Sequence, residues 1–392
     1  MNHVSRHHLS LKLLAAGSLA LALAACGGGQ QAPGADAAVT PPVDAEDRAD
    51  RSREAARTAG TLDAVTVPEA FATPMTPEDN IDSVASWTAP DGQVLLLATA
   101  KATERLVVYD GGTGAFVRHV GGPGTEAGRF DRPNGIAVVD DLAFVVERDN
   151  RRVQVMRLPG METVAMFGAD VLELPYGLWV HKVDAGYELY VTDAYMAGED
   201  AQGEDILPPL GELDRRVHRF ALAAEGDGFA ARHLGAFGDT SPEGALRVVE
   251  SIWGDPANNR LMIAEEDETY ANELKVYDLE GTFSGRTIGA HFLKAQSEGI
   301  MLKHCADGSG WWITTEQGKG RTVFHLFDRA SLEHAGAVTG PTVANTDGIW
   351  LDEAASANFP EGVLYAVHDD QGAVAFDWRG IATALELPAC AR

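Results

Sequence analysis

The chain has 392 residues, 45% hydrophobic and 23% charged, which is ordinary globular usage and excludes a disordered chain, a collagen and a coiled coil. Its net charge of −27 would repel nucleic acid and anionic lipid headgroups and can concentrate cations; an anionic substrate would then need a metal ion or a local basic pocket, and a merely solvated acidic surface is the other reading. Three cysteines exclude both a disulfide scaffold and a cysteine-rich metal site.

The N-terminus reads as an address. Arg6 and Lys12 precede an apolar run from Leu13 to Ala25, too short to cross a bilayer, which takes about 20 residues, but suited to the core of a signal peptide over residues 1–25. The run ends in Leu23-Ala24-Ala25-Cys26, similar to a bacterial lipobox in which Cys26 becomes the lipidated first residue. An ordinary secretory signal followed by a chance cysteine is the alternative. The lipobox reading predicts a lipid-anchored protein of the bacterial cell envelope. Gly27 after the cysteine points to the outer membrane, facing the periplasm or the exterior. Residues 26–60 are rich in Gly, Ala, Pro, Gln, Asp and Arg, cannot bury enough apolar surface to offset ordering entropy, and read as a flexible tether.

Beyond residue 60 helical periodicity is scarce. Short β-rich runs take over, among them Val94-Leu95-Leu96-Leu97, Leu106-Val107-Val108-Tyr109 and Phe144-Val145-Val146, separated by Gly, Asp, Asn and Pro. A motif recurs on top of them: Asp82-Ser83-Val84, Asn134-Gly135-Ile136, Tyr176-Gly177-Leu178, Glu250-Ser251-Ile252, Glu298-Gly299-Ile300 and Asp347-Gly348-Ile349. Each is a polar residue, then Gly or Ser, then an aliphatic residue. A period of about 40–50 residues with three or four strands per unit is the signature of propeller blades. The repeats predict an all-β, six-bladed β-propeller over residues 61–392. One longer gap holds an acidic, proline-bearing insertion from Met196 to Asp214, read as a loop on one face. Val65 to Phe71 is expected to supply a closing strand alongside the last blade.

The small residue of the motif suits innermost strands that crowd an axis. The polar residue before it would then sit at the mouth of the central channel. Four of these are carboxylates, Asp82, Glu250, Glu298 and Asp347. Clustered carboxylates invite a hard cation, and calcium fits oxygen ligands in flexible geometry. A solvated acidic funnel without metal is the alternative.

Several stretches resemble the β-propeller phytases, a six-bladed, calcium-dependent phosphatase family. Asp79, Asp82, Ala85 and Trp87 match its first motif. Tyr176-Gly177-Leu178, Ile263-Ala264-Glu265-Glu266-Asp267-Glu268, Ser297-Glu298-Gly299-Ile300 and Thr346-Asp347-Gly348-Ile349 resemble later ones, in order, over roughly Asp79 to Trp378. The pattern departs at Arg132-Pro133-Asn134-Gly135-Ile136-Ala137, where the family's aspartate and arginine are replaced. It departs again near Asp193-Ala194, where a lysine is missing, and at Gln296, where an aspartate is. The run from Gly121 to Val138 instead resembles NHL-type repeats, which often serve binding.

The resemblance implies a phosphomonoester hydrolase acting on phytate or related organic phosphates, with calcium as cofactor and a small phosphate ester as its partner. Phosphate-ester hydrolysis needs charge neutralisation on the phosphoryl oxygens and a placed water, which bound metals can supply. The candidate metal ligands are Asp82, Glu250, Glu265, Glu266, Glu298, Asp347 and Asp369. Tyr176, Glu298, Lys101 and Arg151 form the candidate catalytic set. Lys101, Arg148 and Arg151 are the candidate phosphate holders, with solvated loop charges as the plain alternative. Trp87, Trp179, Trp253 and Trp350 are expected to fill space between blades or beside the axis. No Gly-x-Ser-x-Gly, His-Glu-x-x-His or phosphate-loop motif is present. Cys305 and Cys390 form a disulfide or remain two thiols; the sequence leaves both open. Two functions stand: a lipid-anchored, monomeric phytase-like enzyme, and a non-catalytic propeller scaffold that binds a protein, glycan or metal.

Overall fold

Runs such as Val94–Ala100 carry no charge and are buried at every position, as a strand must be when both faces of its sheet are covered. Outermost strands such as Phe116–Gly121 are largely exposed. This gradient from covered inner strand to solvated outer strand is that of sheets packed face to face around an axis. A computed structural model of the protein describes residues 64–390 apart from 204, 268, 291 and 292. The predicted signal peptide, tether and Cys26 lie outside the described residues.

Six sheets form the blades of a ring, each built on four antiparallel strands, and the sheet of blade five carries a fifth. Blade one runs Ile81–Thr88, Val94–Ala100, Arg105–Asp110 and Phe116–Gly121, and blade two runs Pro133–Val139, Leu142–Glu147, Arg152–Arg157 and Glu162–Phe167. Blade three runs Pro175–Val183, Gly186–Asp193, Val217–Glu225 and Gly228–Phe237. Blade four starts at Ile252–Asp255, blade five at Ile300–His304 and blade six at Ile349–Asp352. The Met196–Asp214 insertion joins the second and third strands of blade three, and carries a short hairpin, Gly198–Glu199 with Asp205–Ile206.

Ring closure differs from the single strand expected over Val65 to Phe71. Val65–Thr66 pairs in parallel with His334–Thr339 at the outer edge of blade five. Phe71–Ala72 pairs antiparallel with Gly372–Asp377 and becomes the fourth strand of blade six. Pro68 lies between the two pieces and has no N–H to give a ladder. Glu69 beside it turns its carboxylate onto the backbone N–H groups of Thr342 and Val343, at 2.9 and 3.0 Å.

Neighbouring blades are tied by few but buried polar links. Asp255 of blade four receives Arg329 of blade five through two guanidinium nitrogens, at 2.6 and 2.7 Å. Arg216 is fully buried and donates to four backbone carbonyls, those of Asp193, Tyr195, Leu246 and Arg247, joining blade three to the entry of blade four. Trp87 fills an inter-blade space and donates its indole N–H to Asp141 at 2.9 Å.

The chain ends in a helix, Trp378–Ala384, and a tail whose Cys390 is disulfide-bonded to Cys305, 85 positions earlier. This link resolves the alternative left open by the sequence. A loop of that length would constrain the unfolded chain by about 4–5 kcal/mol in the chain-entropy account. A Cys390→Ser chain is therefore expected to melt several degrees below the wild type. An unchanged midpoint in a thermal melt followed by circular dichroism would show that the tail adds nothing to stability.

Candidate functional site: the acidic channel mouth

The repeated motif begins each inner strand, and its small residue lies against the backbone of the next blade. A Cβ on Gly177 would stand 2.1 Å from the carbonyl oxygen of Glu250, and one on Gly348 would stand 2.7 Å from the Cα of Ser83. In blades one to three the ladder shifts register here, between Ile81 and Val84, Pro133 and Ile136, and Pro175 and Leu178. Such a bulge re-aims a side chain. The freed N–H groups of Ser83 and Gly177 are taken by second-strand threonines, Thr99 at 3.0 Å and Thr192 at 2.8 Å.

Asp82, Tyr176, Glu250, Glu298 and Asp347 consequently line one narrow cavity together with the aliphatic residues of all six motifs, Val84, Ile136, Leu178, Ile252, Ile300 and Ile349. Trp253 and Trp350 line it too and meet edge to face, with ring centroids 5.8 Å apart. The cavity measures about 70 Å³, room for an ion and a few waters, so an organic phosphate would rest over the mouth rather than inside it.

The carboxylates form two groups. Glu250, Glu266 and Glu298 bring one oxygen each within 4.8 Å of one another. Glu266 is 2% exposed; one of its oxygens accepts from the Ser251 N–H at 3.2 Å, and the other, Oε2, is buried with no hydrogen-bond partner. Burial, then the charges of Glu298 and Glu250, push its pKa well above the ordinary carboxylate value. In the second group Lys101 lies 3.1 Å from Asp82 and 3.7 Å from Asp347. Asp82 also accepts from Asn134 and Tyr176, each at 3.2 Å, and from Ser83 at 2.9 Å. Asp347 accepts from Gln317 at 2.6 Å. Burial and the neighbouring Asp370 raise the Asp347 pKa, while Lys101 pulls it down. Burial alone would lower the Lys101 pKa, but Asp82 and Asp347 outweigh it and hold the ammonium well above its usual value.

The other candidates stand elsewhere. Glu265 is fully buried and faces away from the cluster, accepting from the backbone N–H groups of Arg247, Val248 and Asp267 at 2.9, 3.3 and 3.1 Å. Its oxygens are occupied in holding the entry of blade four, which replaces the ligand role expected for it. Asp369 accepts from Gln371 at 2.7 Å, and the adjacent Asp370 is the residue whose charge bears on Asp347. Arg148 pairs with Asp149 at 2.7 Å, and Arg151 is exposed at a tight turn, so neither expected phosphate holder is seen in contact with the carboxylates. Arg132, absent from the sequence-based set, bears electrostatically on Lys101. It stands two residues before the repeated motif with positive φ, as Asn80 and Asn345 do in blades one and six, and that shared position is the signal that marks it.

The glutamate trio offers what a hard cation such as calcium takes: three carboxylate oxygens within 4.8 Å of one another, on residues that include Glu266 with its unpartnered buried oxygen.

Compared with known proteins, the chain matches no family model, and a search of curated protein sequences finds no match. Among solved structures it is similar to BBS1N, crystallised in complex with ARL6DN and soaked with mercury. The identity is 11% and the TM-score 0.46, over 80% of this chain and 96% of that one.

Removing the Glu266 charge separates a metal site from an empty funnel. In chelator, Glu266→Gln is expected to melt a few degrees above the wild type, because a desolvated charge facing two like charges is gone. A calcium ion held by the trio would raise the melting temperature of the wild type by mass action, and that rise should be absent from this variant. Glu199→Gln, in the exposed insertion hairpin, is the matched control and should leave both quantities unchanged. A Glu266→Gln chain that keeps the full calcium response would remove the trio as a metal site.

Proposed function

We propose that the channel mouth binds calcium through Glu250, Glu266 and Glu298, and that the protein uses it to hydrolyse phosphomonoesters such as phytate. The observation that carries this reading is the convergence of three carboxylate groups, each with an oxygen within 4.8 Å of the others, one of which, Glu266, has a buried oxygen with no hydrogen-bond partner. The likeness of their motifs to those of the β-propeller phytases supports the reaction. A bound calcium ion would neutralise phosphoryl oxygens and make a water more acidic. The chain's own part is to orient and to exclude. Tyr176 and Asn134 fix Asp82. Lys101 and Arg132 bring positive charge near a mouth that would otherwise repel a phosphate. The Trp253–Trp350 pair and the aliphatic ring line the channel with apolar surface.

A cation-binding scaffold without catalysis is the second reading. It is favoured by Arg148 and Arg151, which are engaged or exposed elsewhere, and by Ala194, which offers no charge in blade three. Phosphate release from phytate by the purified full-length chain separates the two. The enzyme reading expects release in millimolar calcium, abolished by chelator and cut at least tenfold by Glu298→Gln. Calcium binding without release would leave the scaffold.

The proposal also places the protein on the cell envelope through a lipid on Cys26. A Cys26→Ala chain is expected to move from the membrane to the soluble fraction; unchanged fractionation would remove the anchor.

A further inference from the structure

Away from the mouth, two blades carry the same chain of titratable side chains. In blade five Glu316, at the end of the second strand, lies 3.1 Å from His325 Nε2 on the third, and His325 Nδ1 lies 3.1 Å from His334 Nε2 on the fourth. In blade three Asp193 ends the second strand, its Oδ2 lies 3.5 Å from His218 Nε2, and His218 Nδ1 lies 3.2 Å from His233 Nε2. The registers coincide. The third-strand histidine stands opposite an alanine, Ala337 or Ala236, and the fourth-strand histidine stands opposite a phenylalanine, Phe327 or Phe220. Blade two fills the same three places with Glu147, Gln154 and Thr163, joined by hydrogen bonds of 3.1 and 2.7 Å. The link from acid to outer strand is thus common to three blades, and in two of them it can take up protons.

Two ring nitrogens in contact share one hydrogen, one donating and the other accepting. When both rings are protonated, each nitrogen carries a hydrogen and two like charges meet. His218 and His325 are 2% and 0% exposed, so water is kept from replacing the lost bond. We propose that blades three and five carry acid-sensitive latches, in which a second proton on the histidine pair breaks the link between third and fourth strands and loosens the outer edge of the blade. The device needs no metal and includes none of the glutamate trio. Its acid ends stand behind the channel: Asp193 accepts from the N–H groups of Glu173 and Leu174, just before Tyr176, and Glu316 precedes Gln317, which donates to Asp347.

The sign of the effect follows from what surrounds each pair. Burial, then the charge of the other histidine, lowers the pKa of His218 and of His334 to about 4; Arg215 lowers that of His218 further, and Glu173 opposes it. In the unfolded chain a histidine ionises near 6.5, so the unfolded state binds more protons between the two values. Stability from the latches is complete above about pH 6.5 and is lost as pH falls towards 4.

Blade two supplies the control. Grafting its residues, as His325→Gln with His334→Thr or His218→Gln with His233→Thr, keeps a hydrogen-bonded link and removes the titration. Melting of the full-length chain in chelator is followed by circular dichroism at pH 7.5 and pH 5. The melting temperature of each graft should fall less between the two than that of the wild type, by a few degrees. An equal or larger fall in the grafts would overturn the proposal. Hydrogen exchange of the wild type, corrected for the intrinsic rate, reads the same device without any substitution. Between pH 7.5 and pH 5, Gly228–Phe237 and His334–Thr339 should lose protection while Glu162–Phe167 of blade two keeps it. Loss in all three strands alike, or in none, would overturn it.

Discussion

Six inner strands must share one axis, and the space between them decides the rest of the structure. At the start of each strand only a small residue fits, because the neighbouring blade's backbone stands where a larger side chain would go; at Gly177 it is the Glu250 carbonyl itself. Contacts of this kind recur around the ring. Gly135 abuts the Tyr176 carbonyl, the Ser251 hydroxyl donates to the Glu298 carbonyl, and Gly348 donates its N–H to the Asp82 carbonyl at 2.9 Å. The crowding brings the residue just before each small one to the same opening. Its identity can then change without disturbing the fold. Blades two and three present Asn134 and Tyr176, while blades four, five, six and one present Glu250, Glu298, Asp347 and Asp82. The acidity is a contiguous arc on one side of the channel.

Holding that many carboxylates away from water is unfavourable, and the molecule offsets it unevenly. Asp82 is surrounded by donors. Glu266 keeps one oxygen without any. Other buried acids of the blades are paired with guanidinium groups: Asp79 holds Arg105 through one oxygen while its Oδ2 has no partner, Glu147 holds Arg152 and Asp255 holds Arg329. Unlike Asp79, which has a guanidinium beside it, Glu266 carries its bare oxygen on a carboxylate crowded by the like charges of Glu298 and Glu250, and a gap of that kind in hydrogen-bond saturation is what a bound ion or water would explain.

The sixfold repeat was legible in the sequence because axial crowding leaves a mark at fixed intervals, and the polar residues of the mouth could be read from the same mark. What the repeat did not carry was the direction of side chains just beyond it. Glu265 and Glu266 are adjacent, so they leave the backbone on opposite sides; one holds the backbone at the entry of blade four and the other joins the channel cluster. The same ambiguity separates Asp369 from Asp370. Arg148 and Arg151 flank a tight turn whose geometry, rather than their charge, decides where they point. The closing segment forms two short strands rather than one, because the pairing of each with blade five or blade six is set by partners far along the chain.

Those distant partners have a consequence for how the molecule comes into being. Thr73 at the N-terminal edge receives the N–H of Ala373, 300 positions later, at 2.9 Å. Synthesis delivers the closing segment first and the sheets it completes last, so no partial product can seal its own ring. Until the final blade exists, sheet edges stand open to any passing strand, the circumstance in which β-proteins cross-pair and aggregate. Closure thus acts as a test of completeness: a finished polypeptide hides its edges, and one cut short displays them.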